Sequence, residues 1–136
     1  MTDKERVAGI LGDIKRYVSE LETYKIKSVD DLKDNKTFFA SSMVAFQMIN
    51  KVFDLCDDVI NSKNLGIPST YKDIFWLLEK GKIINSQTKD KIWPIMRYRN
   101  LLAHEYGEIS GKDVLFIIQN LNTISSFIGQ LKKHLE

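Results

Sequence analysis

Arg99, Asn100, His104 and Tyr106 fall within eight consecutive residues, Arg-Asn-Leu-Leu-Ala-His-Glu-Tyr, followed at once by Gly107. His104 is one of only two histidines. An imidazole with an ordinary pKa of about 6.5 offers both protonation states at neutral pH, which suits proton transfer. Arg99 adds a permanently charged planar fork that matches two oxygens of a carboxylate or phosphate. Each residue also has a plainer reading. His104 near a helix C-terminus can bond the last carbonyls, Arg99 and Asn100 can sit solvated on a helix surface, and Tyr106 can be an aromatic at the core edge with its hydroxyl in water. On an ideal helix Arg99 and Tyr106 share nearly one face and Asn100 and His104 a neighbouring one, while Arg99 and His104 diverge by about 140°. One straight helix therefore does not aim both at a single atom. A joint site needs help from helix termination, from side-chain reach, or from a second subunit whose two-fold pairing brings two copies of the set into one cleft.

The elements that must position this run are helices. Val7, Leu11, Ile14, Val18 and Leu21 step by three and four, the helical period. Phe39, Met43, Phe46, Ile49, Phe53, Cys56 and Ile60 continue the same steps over more than twenty residues, predicting a long second helix with a start as early as Asp30. Asn61 to Thr70 carries Asn, Ser, Gly and Pro, which end helices and form turns. Tyr71 to Leu78 then reads as a short third helix closed by Gly81. A fourth, capped by Ser86 or Thr88, reaches to about Tyr106, with Gly107 supplying a terminating residue; Pro94 either kinks it or marks its true start. Val114, Ile117, Leu121, Ile124, Ile128, Leu131 and Leu135 form a sustained heptad stripe, read as packing within the bundle rather than between chains. The expected fold is all-α: an up-and-down four-helix bundle with an additional short helix.

Composition sets limits on function. A chain of 136 residues, 43% hydrophobic, fits one compact domain over residues 1–136. A formal charge of +2 is far from the basic excess of proteins that coat nucleic acid, so charge allows RNA without demanding it. Cys56 is the only cysteine, which removes intramolecular disulfides and the cysteine-based zinc patterns and fits a reducing cytoplasm. The charged N-terminus and the lack of a long apolar run predict a cytoplasmic chain that does not enter a membrane. Neither His104 nor His134 has a glutamate three residues before it, so the Glu-x-x-His pairs of helical di-iron sites are missing. Lys89, Lys91, Trp93, Arg97, Tyr98 and Arg99 form a modest basic and aromatic cluster that could track a phosphate backbone. Its plainer reading puts Trp93 in the core or a dimer contact and the lysines in solvent. Lys132, Lys133 and His134 read as a charged helix end.

The order Arg99-x4-His104-x-Tyr106 resembles the signature of HepT-type toxins in the HEPN superfamily, a group of all-helical ribonucleases. Gly66-Ile-Pro-Ser-Thr-Tyr-Lys-Asp-Ile-Phe75 is similar to the segment joining the second and third helices in one HepT subgroup, and Gln47 stands where that subgroup tends to place a glutamine. The resemblance spans about Phe38 to Tyr106. It implies a homodimer that cleaves RNA without a metal or other cofactor, with tRNA a plausible substrate class. In that chemistry a 2′-hydroxyl attacks the adjacent phosphate. His104 would move protons, Arg99 would stabilise charge in the transition state, and Asn100 would orient the imidazole or bind ribose. The resemblance further implies neutralisation by a cognate MntA-type nucleotidyltransferase antitoxin, which uses ATP to AMPylate Tyr106. The alternative is a non-catalytic HEPN module that binds a nucleotidyltransferase partner or a nucleotide.

Overall fold

The computed structural model describes residues 3–104 and 108–135, with residue 104 described by its backbone alone. Within them the architecture is all-helical, as the periodicity predicts. Seven α-helices run in the order α1 Asp3–Thr23, α2 Asn35–Ser62, α3 Tyr71–Lys80, α4 Ser86–Met96, α5 Tyr98–His104, α6 Gly111–Gln119 and α7 Leu121–Lys132. The pairs α4–α5 and α6–α7 each occupy the place of one principal helix, and α3 is the additional short one. The long α2 packs against α1, α3, α5, α6 and α7, so it is the axis of the bundle.

The helix starts follow local polar chemistry. The Asp34 carboxylate accepts from the Thr37 amide at 2.9 Å and hydroxyl at 2.8 Å, starting α2 at Asn35, five residues after Asp30. Val29–Leu32 forms a separate 3₁₀ turn before it. At α3, the Asp73 amide donates to Thr70 Oγ1 at 3.2 Å while the Asp73 carboxylate accepts from the Ser69 and Thr70 amides, a reciprocal cap. The cap of α4 is Asn85, whose Oδ1 accepts from the Thr88 amide at 2.8 Å, rather than Ser86 or Thr88. Pro94 lies inside α4, and the helix ends two residues later at Met96.

Two breaks depart from the continuous stripes. Arg97 alone separates α4 from α5. At Asn120 the side-chain amide donates to the Phe116 carbonyl at 2.7 Å, taking the acceptor that the helical ladder would give to Asn120's own amide; α6 and α7 meet there at 49°. The bend also shifts the buried stripe. Phe127 is 1% exposed, whereas Ile128 is only half-buried. Phe75 of α3 then meets Phe53 of α2 at 5.7 Å, Trp93 of α4 at 5.7 Å and Phe127 of α7 at 5.9 Å, so one aromatic cluster ties four helices together. Among the described residues no single helix is long and apolar enough to cross a membrane; the bent pair α6–α7 passes by length and composition, but Val114, Ile117, Leu121, Ile124, Phe127 and Leu131 are buried in the core.

Candidate active site

Helix α5 carries Arg99, Asn100 and the backbone of His104 along seven residues. Its helical course keeps the divergence of about 140° between residues 99 and 104. Leu102, fully buried, fixes its inward face, and α5 packs on α2. At its first residue, the Tyr98 hydroxyl donates to Asp113 Oδ1 at 3.0 Å. The other oxygen of Asp113 accepts from the Ser110 amide at 2.9 Å and hydroxyl at 3.0 Å at the start of α6. One carboxylate thus ties the helix bearing Arg99 to the element that follows. Burial, then the bond to Asp113, raises the Tyr98 phenol above its usual pKa, keeping it a proton donor.

The Arg99 side chain is half-buried and held from three sides. Its Nε donates to Asn50 Oδ1 of α2 at 3.2 Å, and a terminal nitrogen donates to Asn100 Oδ1 at 3.3 Å. Its guanidinium carbon lies 4.9 Å from the centroid of the Tyr71 ring, at the first turn of α3. Tyr71 is itself packed on Phe53 at 4.7 Å. A guanidinium has five N–H donors, so the two hydrogen bonds to Asn50 and Asn100 leave three for other acceptors. Asn100, exposed, places its carbonyl oxygen on Arg99. Tyr106 and Gly107 lie outside the described residues, as does the side chain of His104.

Neither Asn50 nor Tyr71 stands out in the sequence as a site residue. Tyr71 belongs to the segment quoted above between Gly66 and Phe75, and Asn50 sits one turn beyond Gln47 on α2. Gln47 turns its amide toward Met43 Sδ at 3.9 Å. The basic and aromatic cluster does not form one surface. Trp93 joins the core against Phe75, and Lys89 pairs with Glu79 at 2.9 Å and lies 4.3 Å from the Trp76 ring centroid; Lys91 is exposed.

A separate groove of about 930 Å³ opens at the C-terminal end of α2, lined by Arg6, Leu11, Asp58, Lys63, Lys132 and His134 among others. None of Asn50, Tyr71, Arg99 or Asn100 lines it. Among the described residues no group of three or more His, Cys, Asp or Glu could hold a metal ion.

The sequence model of the family described as "Ribonuclease HepT-like" matches residues 14–131. A protein named mRNA nuclease HepT from Shewanella oneidensis is 28% identical over 89 residues, covering 62% of this chain and 67% of its own length. Among solved structures, a tri-AMPylated HEPN toxin from the same organism, in complex with an MNT antitoxin, superposes with a TM-score of 0.84 at 21% identity, covering 98% of this chain and 99% of that one. A Bacillus subtilis cytosolic protein of unknown function, YutE, superposes with a TM-score of 0.83 at 18% identity, covering 99% and 92% of the two chains. At such identities the superpositions speak for the fold alone.

Proposed function

Because the chain belongs to the HepT-like ribonuclease family, we propose that it is the toxin of a toxin–antitoxin pair, a metal-independent endoribonuclease that acts as a homodimer. The observation that carries this reading is Arg99, whose charge is held against neutral partners with donors left over for phosphate oxygens. The substrate 2′-oxygen attacks the adjacent phosphorus, the bond from phosphorus to the 5′-oxygen breaks, and a 2′,3′-cyclic phosphate and a 5′-hydroxyl result. His104 takes the 2′-hydroxyl proton or supplies one to the leaving 5′-oxygen, a role worth about 10²–10⁴-fold. Arg99 stabilises the charge that gathers on the phosphoryl oxygens in between. Asn100 steadies Arg99 and offers its amide N–H groups to ribose or to the imidazole.

Of the ways to bring diverging Arg99 and His104 into one site, this reading takes the second subunit, and α2 has a surface for one. Phe39 is 55% exposed and Met43 48% exposed. With half-buried Phe46 they form a stripe, at steps of four and three, that runs along α2 to Asn50 and so to Arg99.

Tyr106 is the residue that a cognate MntA-type nucleotidyltransferase would AMPylate from ATP. The relatives include a tri-AMPylated toxin in complex with its MNT antitoxin and a toxin–antitoxin structure with AMP-PNP, which supports this reading. An AMP group two residues from His104 adds negative charge and bulk where phosphate must bind. Mass spectrometry after co-expression with the cognate nucleotidyltransferase should find AMP on Tyr106; an unmodified tyrosine removes this control.

The primary test is cleavage of a total tRNA pool in EDTA by protein of unmodified mass. His104→Ala and Arg99→Ala should each abolish cleavage with helical circular dichroism unchanged. Cleavage retained by both variants refutes the mechanism, and no cleavage by the wild-type protein turns the assignment to a partner-binding module.

A further inference from the structure

We infer that Asn50 and Tyr71 are positioning residues that set the orientation of Arg99 before substrate arrives; the inference rests on the ribonuclease reading above. An arginine side chain has many rotamers, and a free one on a seven-residue helix would have to be ordered by the phosphate it binds. Here the ordering is built into the fold. Nε is held by Asn50 Oδ1 of α2 at 3.2 Å, 49 positions away in sequence, and the guanidinium is held against the Tyr71 ring of α3 at 4.9 Å. Tyr71 is in turn braced by Phe53, also of α2. The bundle core therefore reaches Arg99 through two side chains on two helices.

The chemistry of these partners favours positioning over mere packing. A carboxylate at position 50 would accept the same hydrogen bond but would cancel the charge that a phosphate needs. The neutral amide of Asn50 holds Nε and leaves the positive charge uncompensated. Tyr71 works similarly, since a ring takes up the face of the guanidinium and leaves its edge donors for a ligand. Both contacts orient the fork without neutralising it. Misplacement by about 1 Å in such a clamp can cost roughly 10²-fold in rate.

The inference is tested on two readouts. In the protein without RNA, the ¹⁵N–¹H resonance of Arg99 Nε should lie away from the free-arginine position and collapse toward it in Asn50→Ala. In cleavage, Asn50→Ala should lower kcat about tenfold or more with the melting temperature retained. Asn50→Asp should instead raise KM, because it keeps the hydrogen bond but cancels charge. Tyr71→Phe should cleave as the wild type does, since it keeps the ring, whereas Tyr71→Leu should lose kcat. An Arg99 resonance at the free position in the wild type, or unmoved by Asn50→Ala, overturns the inference. Full cleavage by Asn50→Ala alongside an inactive Arg99→Ala also overturns it and leaves the ribonuclease reading intact. A wild-type protein that fails to cleave while its Arg99 resonance still responds to Asn50→Ala removes the ribonuclease reading instead, and the held guanidinium stands.

Discussion

Asn50, Tyr71 and Arg99 illustrate how little of a site a linear motif contains. Arg99 is visible because it precedes His104 by five residues, but what holds it comes from positions 50 and 71, whose spacing to Arg99 has no sequence period. Another residue acts eight positions beyond Asn50, near the C-terminal end of α2. One oxygen of Asp58 pairs with Arg6 at 2.9 Å, while Oδ2 is buried without a partner among the described residues; the side chain is 14% exposed. Desolvation by burial raises its carboxyl above the usual carboxylate pKa. In the folded protein Asp58 thus binds its proton at a higher pH than in the unfolded chain, and its contribution favours folding as pH falls through that raised value. The cost of its charge is complete above the folded pKa and gone below the unfolded one. Asp58→Asn, neutral at every pH, should melt higher than wild type at pH 7, and the difference should shrink as pH is lowered toward 4. A difference that is flat with pH would show that Asp58 is not the titrating group.

At the scale of elements, most helix starts are written in local chemistry and most interruptions are not. Asp34, Thr70 and Asn85 sit at N-caps as side chains that accept an amide proton three residues on. Ser86 and Thr88 are both residue types that favour an N-cap for α4, yet the structure gives the role to Asn85, because Ser86 already has a helical place. Asn85→Ala should cost about 1 kcal/mol, read as a lower urea midpoint with an unchanged slope; Ser86→Ala should leave the midpoint nearly untouched. The break at Asn120 was legible only as an asparagine inside a heptad stripe. What turned it into a 49° bend is its amide's bond to Phe116. The bend then replaced Ile128 by Phe127 as the fully buried side chain.

For the molecule as a whole, α2 determines what faces inward and what is left outside. Its heptad-like apolar run looks uniformly like core, yet Phe39 and Met43 are exposed while Ser41 and Ser42 are fully buried. The two serines satisfy their hydroxyls on the carbonyls of Thr37 and Phe38, at 2.6 and 2.7 Å, and so can face the interior at low cost. If the exposed stripe joins two copies, Phe39→Asp with Met43→Asp should sediment as a monomer and lose cleavage while keeping its helical content. A dimer that survives both substitutions would place the two-fold contact elsewhere. The all-helical class, the positions of the principal helices and the Arg99-x4-His104-x-Tyr106 set were determined by the sequence itself, because helical period, capping and motif spacing are local properties of the chain. Which apolar residues stay outside, where α6 turns into α7, and that Asn50 and Tyr71 grip Arg99 were decided only by the tertiary structure. Those outcomes depend on which helix faces meet, and contacts between residues 49 positions apart arise from packing that no local spacing encodes.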